Sequence, residues 1–66
     1  MRELGSRIRK MRKREGVSIE KLSKETGISV GAISYWENGK SDIKGDQLII
    51  LAQYFECTTD YLLGND

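Results

Sequence analysis

Nine of the chain's eleven lysines and arginines fall within residues 1 to 24, against three glutamates there, whereas residues 25 to 66 carry two lysines against seven acids. The two parts are therefore +6 and −5, which together give the formal net charge of +1. Arg7, Arg9, Lys10, Arg12, Lys13 and Arg14 stand in one run. The chemistry such a run offers is electrostatic, with guanidinium and ammonium groups that neutralise a polyanion such as a phosphate backbone. The plain alternative is the solvated face of a helix, and both readings apply, because helix geometry cannot aim all six cations at one strand of a duplex. Acid–base, nucleophilic and metal chemistry have no comparable foundation. The chain has no histidine, and its single cysteine, Cys57, makes neither a zinc cluster nor a nucleophile–base pair nor an internal disulfide. No enzyme activity, no metal and no cofactor are expected.

A second pattern says which elements position these groups. Val17, Ser18 and Leu22 have the same spacing as Ile28, Ser29 and Ile33, and as Cys57, Thr58 and Leu62. Each triple marks a helix start. The hydroxyl accepts a hydrogen bond from an orphan amide of the first turn, and the apolar residue before it packs on the one at the fourth helical position. Gly27 supplies the left-handed backbone that ends the first of these helices and re-aims the chain into the next. The spacing predicts helices near Ile19 to Thr26 and Val30 to Asn38. It also predicts a short one that opens after Thr58, carries Asp60 in its first turn and closes at Gly64. Leu4, Ile8 and Met11 predict an amphipathic helix from about Arg2 to Arg14, ended by Gly16. Leu48, Leu51, Ala52 and Phe55 predict a fourth helix after a polar loop from Asn38 to Gly45, with Asp42 and Lys44 competing for its cap. Leu48, Ile49, Leu51, Ala52 and Phe55 are expected to face inward. Ile50 and Tyr54 are left on another face, as a partner surface or as ordinary incomplete burial. Trp36 shares a face with Ile33 and is expected in the core, and Cys57 is expected to act as a small buried hydrophobe.

With 66 residues the expectation is one domain spanning 1–66, all-α, burying about 60% of its unfolded surface. Charged residues make up 32% and no stretch approaches a membrane span of about 20 apolar residues. Met1 is followed by charged Arg2 and Glu3 without an apolar run, which favours a cytoplasmic location.

Two helices joined by a glycine turn are the unit that sets a helix into the DNA major groove. On these residues the chain resembles the Cro and phage-repressor family of helix-turn-helix domains, especially the N-terminal DNA-binding domains of lambdoid repressors. The likeness rests on Arg7-Ile8-Arg9 and Arg12, Gly16-Val17-Ser18, Gly27-Ile28-Ser29, the run Ala32 to Lys40, and Asp60-Tyr61-Leu62-Leu63-Gly64. It implies a compact five-helix bundle that binds operator DNA as a homodimer, with the helix from about Val30 in the major groove. It also implies that Arg12 pairs with Glu37. The chain departs from the family's habits at Ile19, where glutamine is frequent, at Ser23 in place of alanine, at Ile43 in place of proline and at Glu56 in place of glycine. On the reading face it has Val30 and Gly31 where many relatives carry long polar side chains, and neither residue can make a bidentate contact to a base.

Base reading is assigned to Ser29, Val30, Gly31, Ser34 and Tyr35. Val30 suits a thymine methyl, the hydroxyls suit bases or phosphates, and Gly31 allows close approach. The plain alternative is that Ser29 is only a cap and Gly31 only a weak helix position. Phosphate contacts are assigned to Arg9, Arg12, Ser18, Asn38, Gly39 and Lys40, the last three from a turn that can offer amides and one cation. Dimer contacts are assigned to Phe55, Glu56, Thr58 and Thr59. The expected function is a sequence-specific transcriptional regulator, foremost a repressor, that binds a palindromic operator in double-stranded DNA as a homodimer, with no membrane and no metal. One rival is an antitoxin-type autoregulator, which would need an extra segment for its partner protein. The other is a protein-interaction module that has lost DNA reading, which salt-dependent binding to arbitrary duplex would exclude.

Overall fold

All three capping devices form. The computed structural model describes residues 2–65 as five helices, with no strand among the described residues: α1 Arg2–Arg14, α2 Ile19–Thr26, α3 Val30–Glu37, α4 Gly45–Phe55 and α5 Thr59–Leu63. The hydroxyls of Ser18, Ser29 and Thr58 accept from the amides of Lys21, Ala32 and Tyr61 at 3.0, 3.1 and 3.0 Å. In the first two copies both apolar partners are buried, Val17 with Leu22 and Ile28 with Ile33, so each start is stapled on the core side. Gly27 takes φ +79° and returns its amide to the Ser23 carbonyl, which ends α2 and turns the chain into α3.

Leu4, Ile8 and Met11 line the inner face of α1 and meet Leu22, Ile33, Trp36, Leu51, Phe55 and Leu62 in one core. α1 packs on α3 and α5, α2 on α3 and α4, and α4 on α5, so α3 is held from both sides while its remaining face stays open. Two polar ties add to this. Arg7 Nη1 donates to the Tyr61 carbonyl at 2.8 Å, its guanidinium lying 4.4 Å from the Tyr61 ring centre, which joins α1 to α5. The Tyr54 hydroxyl donates to Glu25, joining α4 to α2, and that bond raises the phenol above its ordinary pKa.

The fourth helix differs from expectation in two ways. Lys44 holds the capping position without a side-chain bond, and the nearby carboxylate that helps is Asp46, which takes the Gln47 amide at 3.0 Å. Ile49, expected inward, is 50% exposed, beside Ile50 at 37%. A helix that turns 100° per residue cannot bury four consecutive apolar residues. Leu48, Leu51, Ala52 and Phe55 take the inner arc and leave both isoleucines outside, while Tyr54 packs against the core.

Glu56 ends α4 in the left-handed region, φ +56° and ψ 45°, where no other described non-glycine residue has a positive φ. This is the position where the family's habit is glycine. A side chain there costs about 1 kcal/mol or more. Glu56→Gly is therefore expected to raise the melting temperature by about 4–8 °C, and an unchanged or lowered value in thermal unfolding would refute that account of the turn.

Candidate nucleic-acid interface

Which side of α3 is available follows from what the core takes. Ile33 is fully buried, Trp36 is 3% exposed, and Ala32 packs against them. Ser29, Val30, Gly31 and Tyr35 remain outside, with Ser34 half-buried among them. All five residues assigned to base reading therefore share one face, across which Val30 is 41% and Tyr35 57% exposed. Trp36 belongs to the core, as its spacing from Ile33 indicates. The Ser29 oxygen is used on the Ala32 amide, which leaves its hydroxyl proton as what it can offer outward.

The opposite end of α3 meets the ends of α1 and α2 around one carboxylate. Glu37, whose side chain is 1% exposed, accepts from Arg12 Nε at 2.7 Å, from Arg12 Nη2 at 3.1 Å and from Arg9 Nε at 3.2 Å. Arg12 also donates through Nη1 to the Val17 carbonyl at 3.1 Å, immediately before the cap of α2. One guanidinium thus fixes the end of α3 to the start of α2, and so sets the angle between the two helices of the reading unit. The bond to Glu37 raises the Arg12 pKa further, and the group stays charged. The pairing of Arg12 with Glu37 implied by the resemblance is present: its side chain is 13% exposed and three of its five N–H groups, one on each nitrogen, are used within the protein. Arg9, at 51%, is the exposed cation of this corner, and Ser18 is exposed on the adjoining cap.

A correction concerns the turn after α3. Asn38, Gly39 and Lys40 were expected to offer backbone amides outward, yet these donate to the carbonyls of Ser34, Trp36 and Tyr35 at 3.0, 3.1 and 2.8 Å. The Asn38 side-chain amide bonds Ser34 as well. The cause is helix termination, because the last carbonyls of α3 need partners and the chain folds back to supply them. What the turn presents to a polyanion is the exposed Lys40 ammonium.

The residues assigned to a dimer contact are only partly brought to the surface. Phe55 is 4% exposed and stands edge-on to Tyr54 at 5.1 Å, so it is a core residue and not a contact. Glu56 and Thr58 are exposed and Thr59 half-buried. Cys57 is half-buried, and burial pushes its thiol above the ordinary pKa, as suits a structural and unreactive group.

One residue of the interface scaffold carried no sequence signal. Gly5 is buried in α1, and a methyl built on it would overlap the Trp36 carbonyl oxygen and lie 2.9 Å from that of Glu37. It sets how closely α1 approaches the end of α3. The spacing of Leu4 and Ile8 marks this helix face as inward but does not show a carbonyl on the other side.

Comparison with known proteins places this geometry. The chain is 38% identical over 63 residues to repressor protein C2 of Salmonella phage P22, matching 96% of this chain and 29% of that protein. It is 30% identical over 63 residues to the HTH-type transcriptional regulator ImmR of Bacillus subtilis, matching 96% of this chain and 50% of that protein. The chain thus spans half or less of the length of these relatives. The crystal structure of the P22 c2 repressor in complex with a synthetic operator superposes over the whole of both chains with a TM-score of 0.89 at 36% identity. A helix-turn-helix family model matches residues 8–62. With the capped pair of helices, the exposed face of α3 and these matches in agreement, the chain belongs to the helix-turn-helix family, in its Cro and phage-repressor branch.

Proposed function

We propose that residues 1–66 act as one sequence-specific DNA-binding unit, a transcriptional repressor that places α3 in the major groove of a palindromic operator and binds it as a homodimer in the cytoplasm. The observation that carries this reading is the face of α3: five outward residues free of the core, flanked by exposed cations at Arg9 and Lys40. The likeness to a repressor whose structure holds operator DNA supports it. The longest extent of the fold is 27 Å, shorter than the about 34–36 Å between successive half-sites of a palindromic operator, which supports a reading in which one copy takes each half-site. Excluding polymerase from covered promoter DNA needs no further contact, which makes repression the simplest outcome. No catalytic role enters this mechanism.

Affinity for any duplex is expected to fall steeply with salt, since each phosphate neutralised by Lys or Arg releases counterions. A flat salt response would refute DNA binding. Within that frame Lys40→Ala is expected to weaken binding similarly on all sequences and to lower the salt slope by about 1, whereas Tyr35→Ala changes which sequences are preferred. Competition titrations against a panel of duplexes check this. If both variants merely scale affinity, Tyr35 is not a base reader.

A further inference from the structure

The outer arc of α4 takes no part in the interface described above. Beyond Gly45 its exposed residues are Asp46, Ile49, Ile50 and Gln53. Residues spaced in this way share one helix face, so the four form a single stripe. The middle of the stripe is apolar and its ends are polar. Asp46 precedes Ile49 by three residues and Gln53 follows Ile50 by three, so the pattern reads alike from either end, with a carboxylate at one and an amide at the other. α4 has no lysine or arginine and Asp46 is its only charged residue, which makes this face unsuited to DNA. Tyr54, at the edge of the stripe, is already engaged with Glu25. A cover for this face has to bring apolar area to the centre, a donor to Asp46 and an acceptor to the Gln53 amide. A second copy of the same face, laid antiparallel, brings all three. From this symmetry we infer that two copies of the chain pair α4 against α4, about a two-fold axis that passes between Ile49 and Ile50. The inference rests on the homodimeric DNA-binding role proposed above and names the surface that joins the copies.

Helix geometry sets the register. At 1.5 Å per residue Asp46 and Gln53 each lie about 5 Å along the helix from that axis. Antiparallel pairing therefore brings the Asp46 carboxylate of each copy to the Gln53 amide of the other, as a self-complementary contact requires. Asp46 Oδ1 accepts from the Gln47 amide, which leaves Oδ2 to accept from the Gln53 side-chain N–H of the second copy. Ile49 of one copy meets Ile50 of the other, so four isoleucines leave water together. Parallel pairing would instead set aspartate against aspartate. Four residues from each copy fall well short of the roughly 20–30 a side of a standard interface, so the pairing is weak in the free protein. DNA supplies what is missing by holding two copies at high effective concentration.

The test uses the full 66-residue chain and duplexes that carry one or two copies of a half-site selected from a random pool. Its readout is the per-site affinity on two half-sites divided by that on one, a ratio that cancels any change in the DNA contact itself. The natural chain is expected to give about tenfold or more. Ile49→Gln combined with Ile50→Gln, neutral changes to a good helix former at exposed positions, should bring the ratio below about twofold. Gln53→Lys sets a cation against Asp46 of the second copy and should raise the ratio about threefold, most at low salt, whereas Gln53→Glu sets like charges there and should lower it by about as much. A ratio of one in the natural chain, a full ratio persisting in the double glutamine variant, or Gln53→Lys and Gln53→Glu moving it in the same direction would each overturn the α4 pairing. Sedimentation of the free proteins at high concentration and low salt repeats the comparison without DNA. Gln53→Lys should self-associate more than Gln53→Glu there, and equal or reversed order would overturn the pairing as well. Absence of salt-dependent binding to any duplex would overturn the DNA-reading role itself, and sedimentation alone would then decide the pairing.

Discussion

Glu37→Gln is expected to lower stability by about 3–5 kcal/mol, enough to leave a domain of this size largely unfolded at physiological temperature. The carboxylate is almost wholly enclosed and takes three guanidinium hydrogen bonds. Glutamine keeps one oxygen and turns an amide donor toward a second donor, which strands the Arg12 charge at 13% exposure. Removing one partner of a buried pair is far more damaging than the net worth of the pair, because the desolvated charge that remains has no compensation. Arg9→Ala removes an exposed partner of the same carboxylate and is expected to cost under about 1 kcal/mol. Replacing both Arg12 and Glu37 by methionine should recover much of the loss in Glu37→Gln. Urea titrations of the four proteins check the set, and equal stability of Glu37→Gln and the natural chain would show that the pair does not hold α3 to α1.

Gly5→Ala is expected to rank with it. In a helix interior this change is ordinarily favourable by about 1 kcal/mol. Here the added methyl overlaps a backbone carbonyl of α3, which cannot rotate away as a side chain can, so α1 must slide outward. Overpacking of this kind costs about 1–3 kcal/mol and occasionally more. Sliding also stretches the Arg9 and Arg12 bonds to Glu37, which pushes the loss toward the upper end. Roughly 10–20 °C in melting temperature is the corresponding shift for a domain this small. Gly31→Ala is the internal control, the same change on an open helix face, and the two substitutions should move the melting temperature in opposite directions. Movement in the same direction would contradict the close approach at Gly5.

Both effects depend on contacts of very different legibility in the sequence. Helix starts were readable wherever a hydroxyl and two apolar residues stand at fixed offsets, because that code is local: α2, α3 and α5 begin after Ser18, Ser29 and Thr58. α3 stops at Glu37, one residue before the expected end, with Asn38 as its cap. The start of α4 was not readable, since Lys44 caps it with no side-chain bond. The run Leu48-Ile49-Ile50-Leu51 holds more apolar residues than one helix face can accept, and which pair stays outside is decided by the neighbours α2 and α5. Phe55 was legible as inward from its spacing with Leu51 and Ala52, and its burial agrees with that reading and not with its assignment to a dimer contact. Gly5 was invisible, as its partner is a carbonyl more than thirty residues away. The reading face itself was legible from Ile33 and Trp36, whose burial fixes by helical periodicity what must lie opposite. The use of the amides after α3 was not, because an N–H in a sequence carries no sign of whether the protein itself has already engaged it.

Selection of bound duplexes from a random pool by the 66-residue chain tests the central claim most directly. The account predicts a palindromic consensus whose half-site centres are one helical turn apart, about 10–10.5 base pairs or a multiple of it, as two copies of α3 in successive major grooves require. Recovery of no consensus, or of a single asymmetric site bound by one copy, would contradict it.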